Sequence, residues 1–293
     1  MTNIASKTSV TILIGAAALL AAPVLLGKED LVARGEYLAY AGGCISCHTE
    51  DIDHAVPLAG GRAMETPFGT FYSPNITPDE DTGIGGWSDD EFVNAFWEGV
   101  SPQGEHYFPS FPYTAYTGVS RDDLLAIKAY LFSLDPVDNA SSDHNLVWYM
   151  DTRLAAGAWK ALNFEPVRFE PDSLKDGQWN RGAYLVRHLG HCGECHTPRG
   201  VTGVLRDDEE FAGSEFGGEK VPNISAHRID GIGRWSGSDI EYFLEIGMLP
   251  DGDFTGSSMV DVIENNTSKL TREDRLAIAA YLKSVEPVEN TFQ

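Results

Sequence analysis

Cys44-Ile45-Ser46-Cys47-His48 and Cys192-Gly193-Glu194-Cys195-His196 each spell C-x-x-C-H, and together they use all four cysteines of the chain. This is the attachment spacing of c-type haem. Two thiols one helical turn apart each form a thioether to one vinyl group, and the adjacent histidine lies under the iron as its proximal ligand. A lone C-x-x-C-H also suits a redox dithiol or half of a zinc site. Zinc draws its ligand pairs into one small module, whereas these two lie 148 residues apart. The reading is therefore two covalently bound haem c groups. Cys44, Cys47, Cys192 and Cys195 attach them, and His48 and His196 are axial to the irons.

The chain also repeats itself at nearly that interval, with offsets of 147 and 148. Arg34-Gly35-Glu36-Tyr37-Leu38 returns as Arg181-Gly182-Ala183-Tyr184-Leu185, and Pro74-Asn75-Ile76 as Pro222-Asn223-Ile224. Gly83-Ile84-Gly85-Gly86-Trp87-Ser88 returns as Gly231-Ile232-Gly233-Arg234-Trp235-Ser236. Ala126-Ile127-Lys128-Ala129-Tyr130-Leu131 returns as Ala277-Ile278-Ala279-Ala280-Tyr281-Leu282, with the offset grown to 151 by a late insertion. A register kept over so many blocks marks a tandem duplication with one haem motif per copy. The length, 293 residues, accommodates two domains of ordinary size.

A helical pattern with long loops follows residue 28. Each copy opens with a helix carrying Arg-Gly-x-Tyr-Leu and running toward its haem motif. Tyr37, Leu38 and Ala41 share one face, as do Tyr184, Leu185 and His188. A second helix is announced by Ser88 as N-cap, Glu91 completing a capping box and Trp87 stapling to Phe92; Trp235, Ser236, Asp239 and Ile240 repeat the pattern. The last helices start at Ser120 and Thr271. The plan predicts an all-α protein of two tandem class I cytochrome c domains. The expected boundaries are an export segment over 1–27, domain 1 over 28–136, a packed linker over 137–176 and domain 2 over 177–293. The linker is rich in Trp, Phe and Pro, unlike the polar Gly/Ser composition of a flexible tether.

The export segment is an apolar run from Val10 to Leu26 behind Lys7. It is long for a signal-peptide core and at the lower limit for a membrane span, so a cleaved signal and a retained anchor both fit. Attachment of haem to C-x-x-C-H takes place outside the bacterial cytoplasm, which predicts a periplasmic protein, anchored to the inner membrane if the segment is retained. The formal net charge of −23 makes nucleic acid and anionic membrane surfaces poor partners and a basic protein patch a good one.

Further motifs carry a family resemblance. They are Gly60-Gly61-Arg62, the run Thr66-Pro67-Phe68-Gly69-Thr70-Phe71-Tyr72-Ser73-Pro74-Asn75-Ile76-Thr77-Pro78, Phe108-Pro109-Ser110-Phe111-Pro112-Tyr113 and His191 through Arg199. In these the chain resembles the cytochrome c subunits of bacterial membrane-associated alcohol, gluconate and aldehyde dehydrogenases. The resemblance covers nearly everything after residue 30. It implies an electron-transfer protein that receives electrons from a dehydrogenase subunit or a soluble redox protein and delivers them to a cytochrome or oxidase. The chain departs from that family in one respect: such subunits usually carry three C-x-x-C-H motifs, and this one has two.

Met259, 63 residues after His196, matches the family's distal methionine. The corresponding place in the first copy, 63 residues after His48, is Phe111, which cannot bind iron. His106, in the same loop, is the candidate axial ligand there, and an open haem is the alternative. Arg62, Asn75, Trp87, Asn223 and Trp235 are candidate haem-propionate partners, although a turn asparagine and a stapling tryptophan explain the last four almost as well. A second function follows from an open first haem, namely a peroxidase-like enzyme. Thiosulfate-oxidising chemistry uses a cysteine at the iron, and no cysteine is spare.

Overall fold

A computed structural model of the protein describes residues 27–150, 152–216 and 218–289. In chain order the first half contains α1 (Lys28–Ala41), α2 (Cys44–His48), β1 (Ala63–Thr66), β2 (Gly69–Tyr72), α3 (Asp89–Glu98), α4 (Tyr113–Tyr116) and α5 (Arg121–Leu131). The connecting segment holds β3 (Asn145–Leu146) and α6 (Arg153–Asn163). The second half contains α7 (Gly177–Tyr184), a π-helical turn over Leu185–Leu189, α8 (Gly193–His196), β4 (Ser214–Phe216), β5 (Glu219–Val221), α9 (Gly237–Ile246), α10 (Ser258–Asn265) and α11 (Arg272–Leu282). The segment read as signal or anchor lies outside the described residues apart from Gly27. Among the described residues, no helix is long and apolar enough to cross a membrane.

The helix starts follow from local side-chain chemistry. Ser88 and Ser236 accept from the backbone N–H of Glu91 and Asp239, whose carboxylates accept from the cap residues in return. Ser120 and Thr271 cap α5 and α11 by accepting from the backbone N–H of Asp123 and Asp274. The Arg-Gly repeat has a packing cause. A Cβ on Gly35 would stand 1.8 Å from the carbonyl oxygen of Ala126, and one on Gly182 would stand 2.0 Å from that of Ala277. Only glycine lets α1 and α5, and likewise α7 and α11, cross at this distance.

The all-α, two-domain expectation is corrected on two counts. Of the described residues 41% are helical and 9% strand, and the strands form two small antiparallel sheets. One is β1-β2-β3, with Thr66 opposite Gly69 across a two-residue turn and β3 added by the connecting segment; the other is the hairpin β4-β5. The loop reading failed because β-prone Thr70, Phe71 and Tyr72 are flanked by Pro and Gly, which punctuate a hairpin as readily as a loop. The second count concerns the core. It is one continuous cluster joining Leu38, Phe92, Ile127 and Leu131 of the first half to Leu185, Leu189, Ile240 and Ile278 of the second. The halves therefore do not separate into tandem units.

A reciprocal exchange explains this union. Tyr37 donates to Asp274 at 2.6 Å, and Tyr184 donates to Asp123 at 2.6 Å. Each aspartate is also held by the arginine of its own half, Arg181 on Asp274 and Arg34 on Asp123. The tyrosine hydroxyls also accept from the backbone N–H of Thr271 and Ser120, and thus cap the partner half's last helix.

The connecting segment is packed rather than loose. Ala156 of α6 joins Phe71 and Phe108 in a second, smaller core flanked by Met64 and Leu146. Lys160 donates to the carbonyls of Glu98 and Gly99 at the C-terminal end of α3, where a cation is favoured. Trp159 donates to the Thr202 carbonyl of the second half at 2.8 Å.

Candidate functional site

Both C-x-x-C-H motifs form single helical turns, α2 and the end of the turn made by Cys192 with α8. Each is entered through backbone that comes sharply off a helix: α1 ends at Gly42-Gly43, and the π-helical turn ends at Gly190. All four cysteines are unpaired. Burial pushes the Cys44 and Cys192 thiols up to about 12 and Cys195 to about 11, and raises Cys47 as well. Reactive dithiols work through the thiolate and need a lowered value, so this environment opposes a redox dithiol. Among the described residues, no group of three or more His, Cys, Asp or Glu is placed to hold a metal ion.

The histidines are oriented identically. His48 Nδ1 lies 2.8 Å from the Pro74 carbonyl oxygen, and His196 Nδ1 lies 2.8 Å from that of Pro222. A carbonyl only accepts, so the proton sits on Nδ1 and the Nε2 lone pair is left for a ligand. This is the usual arrangement around a metal-binding histidine. Burial lowers both histidine pKa values, with the proline carbonyls opposing, and keeps the rings neutral as iron ligation requires. The Pro-Asn-Ile repeat thereby gains a function that its sequence did not disclose.

The asparagines of that repeat brace the same loop. Asn75 donates to the Val137 carbonyl at 2.7 Å and to Thr82 at 3.1 Å, and accepts from the Thr77 amide. Asn223 donates to the Val288 carbonyl at 2.7 Å and accepts from the Ser225 amide. Both side chains are committed to holding the proline carbonyl under its histidine. Arg62 pairs with Asp261 of α10 at 2.9 Å, joining the halves. Trp87 and Trp235 pack on the main core, Trp235 with its ring 5.5 Å from Phe243.

The two attachment turns share a border. Tyr116 of α4 donates to the Gly42 carbonyl at 2.7 Å and sets its ring edge-on to His191 at 5.2 Å. Ser46, inside the first motif, donates to Asn266, which follows α10, at 2.9 Å. Thr114 of α4 donates to Glu194, inside the second motif, at 3.0 Å, and Arg199 completes that carboxylate's pairing. Each half thus lays the short helix after its distal loop against the other half's attachment turn. Sequence reading assigned His191 no role. Its position directly before Cys192 was the one available signal.

The distal candidates differ between halves. Met259 is the second residue of α10, partly buried against the core. Its loop is fastened by Ser257 and Ser258, whose hydroxyls donate to Glu219 of β5. Phe111 sits among the rings of Phe96, Tyr107 and Tyr116. His106 faces α6: a Cβ on Gly157 would lie 2.6 Å from its Cδ2, and its buried Nδ1 has no hydrogen-bond partner. Burial, then the nearby Lys160 charge, lowers its pKa. The fully buried Tyr113 hydroxyl also lacks a hydrogen-bond partner. At both turns, two free thiols one turn apart and a neutral histidine with its Nε2 unengaged fit covalent haem.

No protein-family model matches the chain. It is 42% identical over 268 residues to a dihaem cytochrome c-type protein of Cereibacter sphaeroides, covering 90% of this chain and 88% of that one. It is 40% identical to the gluconate 2-dehydrogenase cytochrome c subunit of Pantoea cypripedii and 37% identical to the fructose dehydrogenase cytochrome subunit of Gluconobacter japonicus. It spans 60% and 52% of those two subunits. Two attachment turns of the same construction, matched over nearly the full length of a dihaem relative, show that the chain belongs to the dihaem c-type cytochromes and carries two covalently bound haem c groups.

Proposed function

We propose that the chain passes electrons from a periplasmic dehydrogenase, or a soluble redox donor, to a cytochrome or oxidase of the respiratory chain. The observation that carries this reading is the shared border of the two attachment turns, where Tyr116 of one half touches Gly42 and His191 together. Residues 28–136 hold one haem and residues 177–293 the other. When bound, haem c supplies one-electron chemistry. The chain's own residues do the rest: His48 and His196 present neutral Nε2 atoms, Pro74 and Pro222 fix their rings, and the core holds both turns in one rigid body. Met259 would hold the iron of the second haem through its thioether sulfur.

The dehydrogenase partner is supported by the relatives, which include cytochrome subunits of gluconate, fructose and alcohol dehydrogenases. The charge of −23 favours a donor with a basic docking face. The test is anaerobic stopped-flow reduction of the purified protein by the catalytic subunit of a gluconate or alcohol dehydrogenase with its substrate. Both haems should be reduced, at a rate that falls steeply as salt rises through the range where charges are screened. Absence of reduction would reject the dehydrogenase donor, and a rate indifferent to salt would reject the basic docking face.

A further inference from the structure

We infer that the first haem has an open sixth coordination position, which takes a small neutral diatomic ligand under an aromatic cage of Phe96, Tyr107, Phe111 and Tyr116. The inference rests on the covalent haem at Cys44 and Cys47 and goes beyond electron transfer. Phe111 follows His48 by the interval that separates Met259 from His196. A phenyl ring has no lone pair for iron. It is held edge-on by Phe96 at 5.2 Å and by Tyr107 at 5.6 Å, and tilted on Tyr116 at 5.6 Å. Tyr116 ties the cage to the first attachment turn through its bond to Gly42, two residues before Cys44.

The other donors of this half pack elsewhere. His106 packs against Gly157 of α6. Met64 belongs to the second core with Phe71 and Phe108. The Tyr116 hydroxyl is spent on Gly42. Tyr107 is half-buried, and a phenol that keeps its proton is a poor iron ligand.

The cage also selects the ligand. Four aromatic walls desolvate whatever enters, which penalises an anion heavily and a neutral diatomic hardly at all. The chemical class is therefore that of carbon monoxide, nitric oxide and dioxygen, bound to ferrous iron through one lone pair without any net redox step.

The probe is carbon monoxide, titrated into the full-length reduced holoprotein and followed in the Soret band. A haemochrome assay on the same sample first establishes two haems per chain, which separates failure of the haem assignment from failure of this inference. One carbon monoxide should bind for every two haems. Phe111→Met should abolish that binding and add a second thioether-to-iron band in the far red. Phe111→Ala, which enlarges the cage without offering a ligand, should retain the stoichiometry and speed association at least about tenfold. No binding by the wild type overturns the inference. Binding that appears only in His106→Ala also overturns it, by making His106 the sixth ligand. Association unchanged in both Phe111 variants overturns the placement of the cage over the iron.

Discussion

At the residue scale, the duplicated tyrosine-aspartate-arginine sets are the contacts that most directly join sequence repeat to structure. Asp274 shows the balance of forces. Burial alone would raise its carboxyl, but hydrogen bonds from Arg181 and Tyr37, with the Arg181 charge, outweigh it and hold the pKa below the ordinary carboxylate range. A carboxylate lowered on folding stabilises the protein above its unfolded value of about 3.9, and that contribution disappears as pH falls through the lower folded value. Wild-type stability, read from urea midpoints, should therefore drop more steeply below about pH 4 than that of Asp274→Asn. Parallel slopes for the two proteins would show that the pair does not govern acid stability. Removing the donor by Tyr37→Phe should cost about 1.5–3 kcal/mol at neutral pH, as expected for a hydrogen bond to a charged group. The two C-x-x-C-H turns were legible from sequence because thioether attachment of haem fixes such a spacing. The partners of Tyr37 and Tyr184 were not, since they lie 237 and 61 residues away. Asn75 and Asn223 were legible as repeated residues, but only the folded loop shows that they hold a proline carbonyl beneath a histidine.

At the element scale, the close helix crossings depend on two glycines. A methyl group on Gly35 or Gly182 would meet backbone, which cannot turn aside as a flexible side chain does. Gly35→Ala and Gly182→Ala should each destabilise the protein by about 1–3 kcal/mol, the usual cost of overpacking. Gly237→Ala is the matched control. It lies at the start of α9 with nothing within 4 Å of the added carbon, and should be neutral or slightly stabilising. Equal losses at all three sites in denaturant melts would remove the crossing as the cause. Helix starts were readable because a Ser or Thr cap and an acid three residues later are a local code. The hairpins and α6 were not. Strand pairing depends on partners outside the local window, and β3 joins its sheet across more than seventy residues, Gly69 pairing with Leu146.

At the scale of the molecule, a duplicated sequence has produced one body with unlike halves. The core runs through both, and each half's short distal helix rests on the other's attachment turn. Loosening one turn therefore removes support from the other. Unfolding in guanidinium should be a single transition, with the far-red signal expected from the proposed Met259 ligation, the Soret band and the helical circular dichroism sharing one midpoint. Independent domains would instead show the Soret change in two steps, with the methionine signal following only one of them. The same coupling predicts what happens when the border is weakened. Tyr116→Phe keeps the ring against His191 but removes the hydroxyl from the Gly42 carbonyl, leaving a buried acceptor unpaired at a cost of about 1–3 kcal/mol. That loss should lower the shared midpoint without splitting it, because the variant still has one core. A split transition in Tyr116→Phe alone would mean that this single hydrogen bond, rather than the continuous core, joins the two halves.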